Sequence, residues 1–424
     1  MRELKSNYQP LQRLEVIYEG WGEHWPMGIL AAGRQRGEWL FEYSEQSIQR
    51  GIEFSPLLHP PVSTTYSGFE RHQEGIPGFI ADSLPDGWGR LLMDRLLRRN
   101  NIEPSALLAL DRLALLGSDT MGALTYRPLM VMPGQDAHQQ DINDLILLAR
   151  EIQIEVAGQD SKVLPELVRL GGSPHGARPK VLVEFDPASG RIDSAPFTNS
   201  HPWLIKFPAA QEATWVCALE EVYARMARQA GINFPESRWF SLDDGLSAFG
   251  VKRFDRHQGM RVPTLSMAGV LQADFRLPCL DYTDILQATG MITRSVAERE
   301  IQARRMVFNV IMNNQDDHAK NFAFTLNQAE EWQVSPAYDL TFQMGPGGQH
   351  QSSVAGYGSK INRKALFKAA KSADISEKTL NGIIEEVCDV AASFMAQAKL
   401  LEDAIPLTVI KETAAKINAN IKAL

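Results

Sequence analysis

Apolar positions along the chain fall into two regimes. Over residues 1–60 they come as short alternating runs cut by glycines: Leu14-Glu15-Val16-Ile17-Tyr18, Met27-Gly28-Ile29-Leu30 and Glu38-Trp39-Leu40-Phe41-Glu42-Tyr43. A period of two sends alternate side chains into a core, so these runs predict a small antiparallel sheet or barrel. Further along, the spacing turns helical at 90–99, at 106–116 (stopped by Gly117), and from 141 to about 154. Strand-like runs interrupt it at 122–126, 181–185 and 203–207, and another strand ends over 250–256. A helix over 213–230 is ended by Gly231, and helices at 282–287, 295–312, 363–372, 376–400 and 406–424 fill the rest. The pattern predicts an α+β chain that begins β-rich and ends all-helical. The Pro/Gly/polar stretch 131–138 marks a boundary, giving parts 1–135, 136–258 and 259–424.

Composition changes little in this picture. Apolar residues make up 44% and charged residues 22% of the 424 positions, as in a globular protein with a sizeable core. A net charge of -8 argues against the chain alone being a general nucleic-acid binder, though a partner could hold DNA. Cys217, Cys279 and Cys388 lie far apart and predict buried small hydrophobes in a reducing compartment. No run has the length of a membrane span and the first ten residues have no apolar core, so the expectation is a cytoplasmic protein without a membrane role.

Candidate chemistry changes it more. The end of the 295–312 helix runs into Asn313-Asn314-Gln315-Asp316-Asp317-His318-Ala319-Lys320-Asn321. The spacing from Asp316 to Asn321 is the one protein kinases use, with an Asp that takes the acceptor hydroxyl proton and an Asn that holds Mg2+. Asp339, in Ser335-Pro336-Ala337-Tyr338-Asp339-Leu340, suits a second metal ligand within a strand-like run. The competing reading is that such clusters are caps and turns.

Upstream, Gly171-Gly172-Ser173-Pro174-His175-Gly176-Ala177-Arg178-Pro179-Lys180 is a glycine-rich segment before a strand. It is either a phosphate-cradling loop or a flexible surface turn. Lys206 sits among apolar neighbours in the next strand, facing either solvent or an anionic partner, and Glu220 and Glu221 follow on a helix. Gly345-Pro346-Gly347-Gly348-Gln349-His350 has the composition of a mobile loop. Asp86 or Ser83 suits the cap of the 90–99 helix, whose arginines predict either a solvated face or a phosphate patch. Glycine loop, strand lysine, helix glutamate, D-x4-N and a following aspartate stand in the order of the parts of a protein kinase.

Four stretches together carry a family resemblance: D-S-L-P-D-G-W-G-R at 82–90, L-A-L-L-G-S-D-T-M-G-A-L-T-Y at 113–126, S-P-H-G-A-R-P-K at 173–180, and N-N-Q-D-D-H-A-K-N-F at 313–322 with S-P-A-Y-D-L at 335–340. The chain resembles, over nearly its whole length, the HipA family of toxin kinases from type II toxin–antitoxin modules. The resemblance implies a protein-kinase-like fold with a β-rich N-terminal subdomain and an all-helical C-terminal lobe. It implies serine/threonine phosphorylation dependent on ATP and Mg2+. By motif, Asp316 would be the base, His318 and Lys320 would support the loop and the transferred group, and Asn321 and Asp339 would hold Mg2+. Lys206, Glu220, Gly172, Ser173, Gly176 and Lys180 would serve the nucleotide, with Ser173 the autophosphorylated residue whose modification ejects its loop. The implied partners are a helix-turn-helix antitoxin of HipB type, operator DNA reached mainly through it, and a protein substrate such as an aminoacyl-tRNA synthetase. The alternatives are a silent kinase-like corepressor and a small-molecule phosphotransferase.

Overall fold

The structure, a computed structural model, describes residues 2–3, 8–131, 144–159 and 161–424. The expected boundary at 135/136, the stretch 132–138 and the first three positions of the 141–154 helix lie outside the described residues. The chain divides into two compact units, Met1–Glu212 with Phe240–Leu265, and Ala213–Trp239 with Ser266–Leu424.

In the first unit the alternating runs become the strands Arg13–Tyr18, Trp25–Ala32 and Trp39–Tyr43. With Thr65–Tyr66 and Leu124–Arg127 they form one five-stranded antiparallel sheet, ordered 65–66, 39–43, 25–32, 13–18, 124–127. The period of two decides the faces: Leu14, Val16, Met27, Leu30 and Phe41 are buried, while Glu15 and Glu42 are exposed. Phe79 packs edge-on against Phe41, with ring centroids 5.5 Å apart, and closes that core.

The helix Gly87–Arg99 buries Leu92, Met93, Leu96 and Leu97. Arg98 and Arg99 are exposed, as on a solvated face, but three of the four arginines also find partners within the protein. Arg95 pairs with Glu155 at 2.5 Å, Arg90 pairs with Glu74, and Arg99 donates to the Ser161 carbonyl at 2.9 Å. Asp144 caps the helix Leu145–Val156 by accepting from the Ile146 amide at 2.7 Å. A helix missing from the sequence pattern, Leu164–Gly171, leads into the glycine segment, and Pro165 suits its first turn. The strands Ser247–Lys252, His201–Lys206, Lys180–Phe185 and Ile192–Asp193 then pair antiparallel in that order.

The second unit is built around the helix Val296–Met312, whose last turns, from Arg305 to Met312, are buried on every side. Helices Tyr282–Thr293, Glu377–Ala392 and Leu407–Ala423 pack on it. The helix expected at 282–287 runs six residues longer, and the run 376–400 breaks at Ser393 into Glu377–Ala392 and Phe394–Lys399. This lobe is helical apart from short strands, chiefly the hairpin of Ala323–Leu326 with Trp332–Val334. Among the described residues no helix is long and apolar enough to cross a membrane. Of the cysteines, Cys217 is buried as expected, but Cys279 is exposed and Cys388 only half-buried.

Candidate active site

The glycine segment follows a helix and enters a strand, so its backbone reverses between two fixed ends. Gly171 closes the helix, residues 172–179 form the loop, and Lys180 begins the strand. Ser173 is only 2% exposed, and its hydroxyl has no hydrogen-bond partner among the described residues. Lys180 turns its ammonium into the loop and donates to the His175 carbonyl. Arg178 clamps Glu212, with Nε and Nη2 at 2.9 and 2.7 Å from Oε1.

Lys206 does not face solvent. It is 7% exposed and lies directly opposite Lys180, itself 4% exposed, in the antiparallel register. Opposed residues of such a ladder share a face, with Cβ atoms about 4.5–5.5 Å apart. Two buried ammonium groups on one face call for negative charge beside them. The Lys206 Nζ also lies 5.7 Å from the Phe249 ring centroid.

In the second unit the helix Trp215–Gln229 buries both Glu220 and Glu221. They are not equivalent. Glu221 accepts from Arg225 Nε at 2.7 Å and from the Ser237 hydroxyl at 2.7 Å, within its own unit. Glu220 points about 100° away around the helix, as one residue's turn requires.

The D-x4-N loop is fixed from the helix end onward. The Asn420 side chain donates to the Val310 and Ile311 carbonyls at 3.1 and 3.2 Å, and Tyr223 donates to the Met312 carbonyl at 2.6 Å. These bonds satisfy carbonyls that a helix C-terminus leaves open. Asn313 then turns left-handed with φ 56°. Asp316 emerges exposed while Asp317 beside it is fully buried. The Asn321 amide nitrogen donates to the Asp316 carbonyl at 2.6 Å, closing the loop and directing its Oδ1 elsewhere. His318 accepts from the Lys320 amide at 3.2 Å, which supports the turn 319–321. The Lys320 ammonium stands 4.2 Å from the centroid of the Phe275 ring.

Asp339 is not in a strand. Its φ is 51°, a left-handed position that Asp tolerates better than most residues. The turn is held beside the loop because the Tyr338 hydroxyl donates to the Lys320 carbonyl at 2.6 Å. Arg305, fully buried in the central helix, donates to the Ser335 carbonyl, and burial pushes its guanidinium down to about 10.

Asp317 carried no assigned role in the sequence. Asp317 accepts from Tyr282 Oη at 2.8 Å, Gln351 N at 2.9 Å and Ser352 N at 3.2 Å, and its Oδ2 lies 2.8 Å from His350 Nδ1. Burial holds the Tyr282 phenol well above its ordinary range, so it stays a donor. Gly345 N bonds to Gln315 Oε1 at 2.9 Å, so the segment 345–350, expected to be mobile, is pinned at both ends. Asp86, expected to cap a helix, occupies the cap position but makes no side-chain cap bond; its Oδ1 accepts from the Gly176 amide at 2.6 Å.

Comparison with known proteins shows the family. A family model described as the HipA-like C-terminal domain matches residues 172–395, and one described as the HipA N-terminal domain matches residues 18–127. The provisionally named kinase Y4dM of Sinorhizobium fredii is 26% identical over 323 residues, 72% of this chain and 72% of that protein. A chain of the solved complex of the Shewanella oneidensis MR-1 toxin–antitoxin system, HipA with HipB and operator DNA, is similar with a TM-score of 0.68 at 17% identity, over 96% of each chain.

Proposed function

The chain belongs to the HipA family, and from that premise we propose that it is a serine/threonine protein kinase dependent on ATP and Mg2+, acting as the toxin of a type II toxin–antitoxin module. Its α+β fold, kinase-like with a β-rich N-terminal part and a helical C-terminal lobe, is that of the family. The observation that carries the reading is the buried cross-strand pair Lys180 and Lys206 at the foot of a glycine loop. Such a pair suits the phosphates of a nucleotide.

The residues of the second unit fit the metal. Asn321 gives its amide nitrogen to the Asp316 carbonyl, which leaves its oxygen to act as a ligand. Asp339 adds a carboxylate on the adjacent turn. Mg2+ asks no more of a protein than one or two such oxygens, because substrate phosphates supply others. Bound there, it would neutralise charge on the transferred phosphoryl group. Asp316, exposed at the loop's tip, takes the acceptor hydroxyl proton as that oxygen bonds to phosphorus and ADP departs. Of the two acids on the helix Trp215–Gln229, Glu220 is the one we assign to nucleotide binding, because Glu221 is already committed to Arg225 and Ser237.

The substrate we assign is a protein of the translation apparatus, such as an aminoacyl-tRNA synthetase, with Ser173 as a second, internal acceptor. The partner is a helix-turn-helix antitoxin of HipB type. The net charge of -8 fits a division in which that partner makes most of the DNA contact. Intact-mass spectrometry after incubation with Mg2+ and ATP tests the activity. One added phosphate that maps to Ser173, and no phosphate on this loop in Ser173→Ala, is the expected result. A phosphate that maps to another residue would remove Ser173 from the proposal.

A further inference from the structure

Two of the sequence stretches singled out at the start, 82–90 and 173–180, meet in the first unit. The Asp86 carboxylate accepts from the Gly176 amide at 2.6 Å, and the Trp88 amide donates to the Gly176 carbonyl at 3.0 Å. One residue of the loop, Gly176, is therefore held at both its amide and its carbonyl by the start of the helix Gly87–Arg99. The glycines there are required by this approach. A Cβ on Gly87 would stand 2.4 Å from the Gly176 carbonyl oxygen, and one on Gly89 would stand 2.3 Å from that of Gly172. Both contacts are with backbone, which cannot step aside as a side chain can.

We propose that Asp86-Gly87-Trp88-Gly89 is the latch of the nucleotide loop, with Asp86 its positioning residue. The inference rests on the kinase reading for its consequence but not for its geometry. Asp86 forgoes the side-chain bond that an aspartate at a helix cap ordinarily makes, and gives its carboxylate to the loop. While the latch is closed, Ser173 is sealed beneath the loop at 2% exposure. The Ser173 hydroxyl is shut off from solvent there, so its modification needs the latch to open first. Opening also takes the Gly176 amide and Lys180 away from any bound nucleotide. The latch thus sets both the hold on ATP and the rate of self-modification, in opposite directions.

Hydrogen exchange of the full-length protein without nucleotide tests the geometry, read on peptides covering 171–180 and 87–99. Asp86→Ala removes a charge-assisted bond, so loop exchange should rise about tenfold or more. Asp86→Asn keeps an acceptor oxygen and should restore most of the protection. Gly89→Ala should expose the loop at least as much as Asp86→Ala. Exchange over 87–99 should stay within twofold of wild type in Asp86→Ala, because the helix loses no cap bond. Loop exchange unchanged in Asp86→Ala, or a rise spread equally over 87–99, would overturn the latch. With Mg2+ and ATP added, Asp86→Ala should gain phosphate at Ser173 faster than wild type and show a raised KM for ATP. A slower gain at Ser173 would also count against the latch. Absence of phosphate in every variant would sink the kinase reading, while the exchange result would still decide the latch.

Discussion

The loop 316–321 and the loop 172–179 are each held by an aspartate that takes no part in the proposed chemistry, but they are held very differently. Asp317 is 0% exposed and bonded to a phenol, an imidazole and two backbone amides. It also anchors the Ser352 hydroxyl through its own carbonyl at 2.6 Å. Asp86 is half-buried and holds its loop through the Gly176 amide. A carboxylate sealed among several donors is costly to pull away, since every donor would be left unpaired in a dry site. A half-buried one can trade its partner for water. The difference teaches that one loop is built as a fixed frame for Asp316 and the other as a part meant to let go.

Asp316→Gln breaks the comparison at its chemical end and has the largest expected effect. Loss of a general base costs about 10²–10⁴-fold in rate. Asp316 is exposed and Asp317 keeps the frame, so the unfolding midpoint should stay within a degree or so of wild type. Transfer assays beside thermal unfolding check this. Persistent transfer would move the base elsewhere, and a large loss of stability would mean that Asp316, too, belongs to the frame.

Asp317→Ala attacks the frame itself. Each buried donor left without a partner costs about 1–3 kcal/mol, so a loss of about 3 kcal/mol or more is expected in chemical denaturation. Asp317→Asn, which keeps one acceptor, should lose less. Hydrogen exchange should rise over 349–353, where Gln351 and Ser352 give their amides to this carboxylate. A loss below about 1 kcal/mol would erase the contrast between the two loops.

Much of this was open to a reader of the sequence, and the boundary has a physical cause. The strands of the first sheet follow from a period of two, and the D-x4-N spacing lies within six residues. Both signals are local. Asp317 meets Tyr282 and His350 across 35 and 33 positions, and Asp86 meets Gly176 across 90, so no window along the chain contains either contact. Local chemistry even pointed the wrong way. Asp86 stands where a cap belongs, and Gly345–His350 has the composition of a mobile loop, yet each is committed to a distant partner. Asp339 lay in an apolar run that suggested a strand, while the structure turns it left-handed. The glycines at 87 and 89 were the one local trace of the latch, and only the loop packed on them gives them meaning.

The smallest expected effect sharpens the claim that Asp86, rather than any charge near the loop, is what holds it. Arg178 also ties the loop down, with two nitrogens on Glu212 Oε1, and Glu212 is steadied by the Ala209 amide at 3.0 Å. Both side chains keep about a quarter of their surface in water, at 24% and 29%. An ion pair that wet is worth only about 0.2–1 kcal/mol, because water screens it and two long side chains must be ordered to make it. Arg178→Gln should therefore raise exchange over 171–180 by no more than about fivefold, against about tenfold or more for Asp86→Ala. High salt should narrow the difference between wild type and Arg178→Gln. It should leave most of the Asp86→Ala effect in place, since that bond is backbone-directed and half-buried. If Arg178→Gln instead loosens the loop as much as Asp86→Ala, the hold is general electrostatic attraction and the helix turn at 86–89 is only one contact among several.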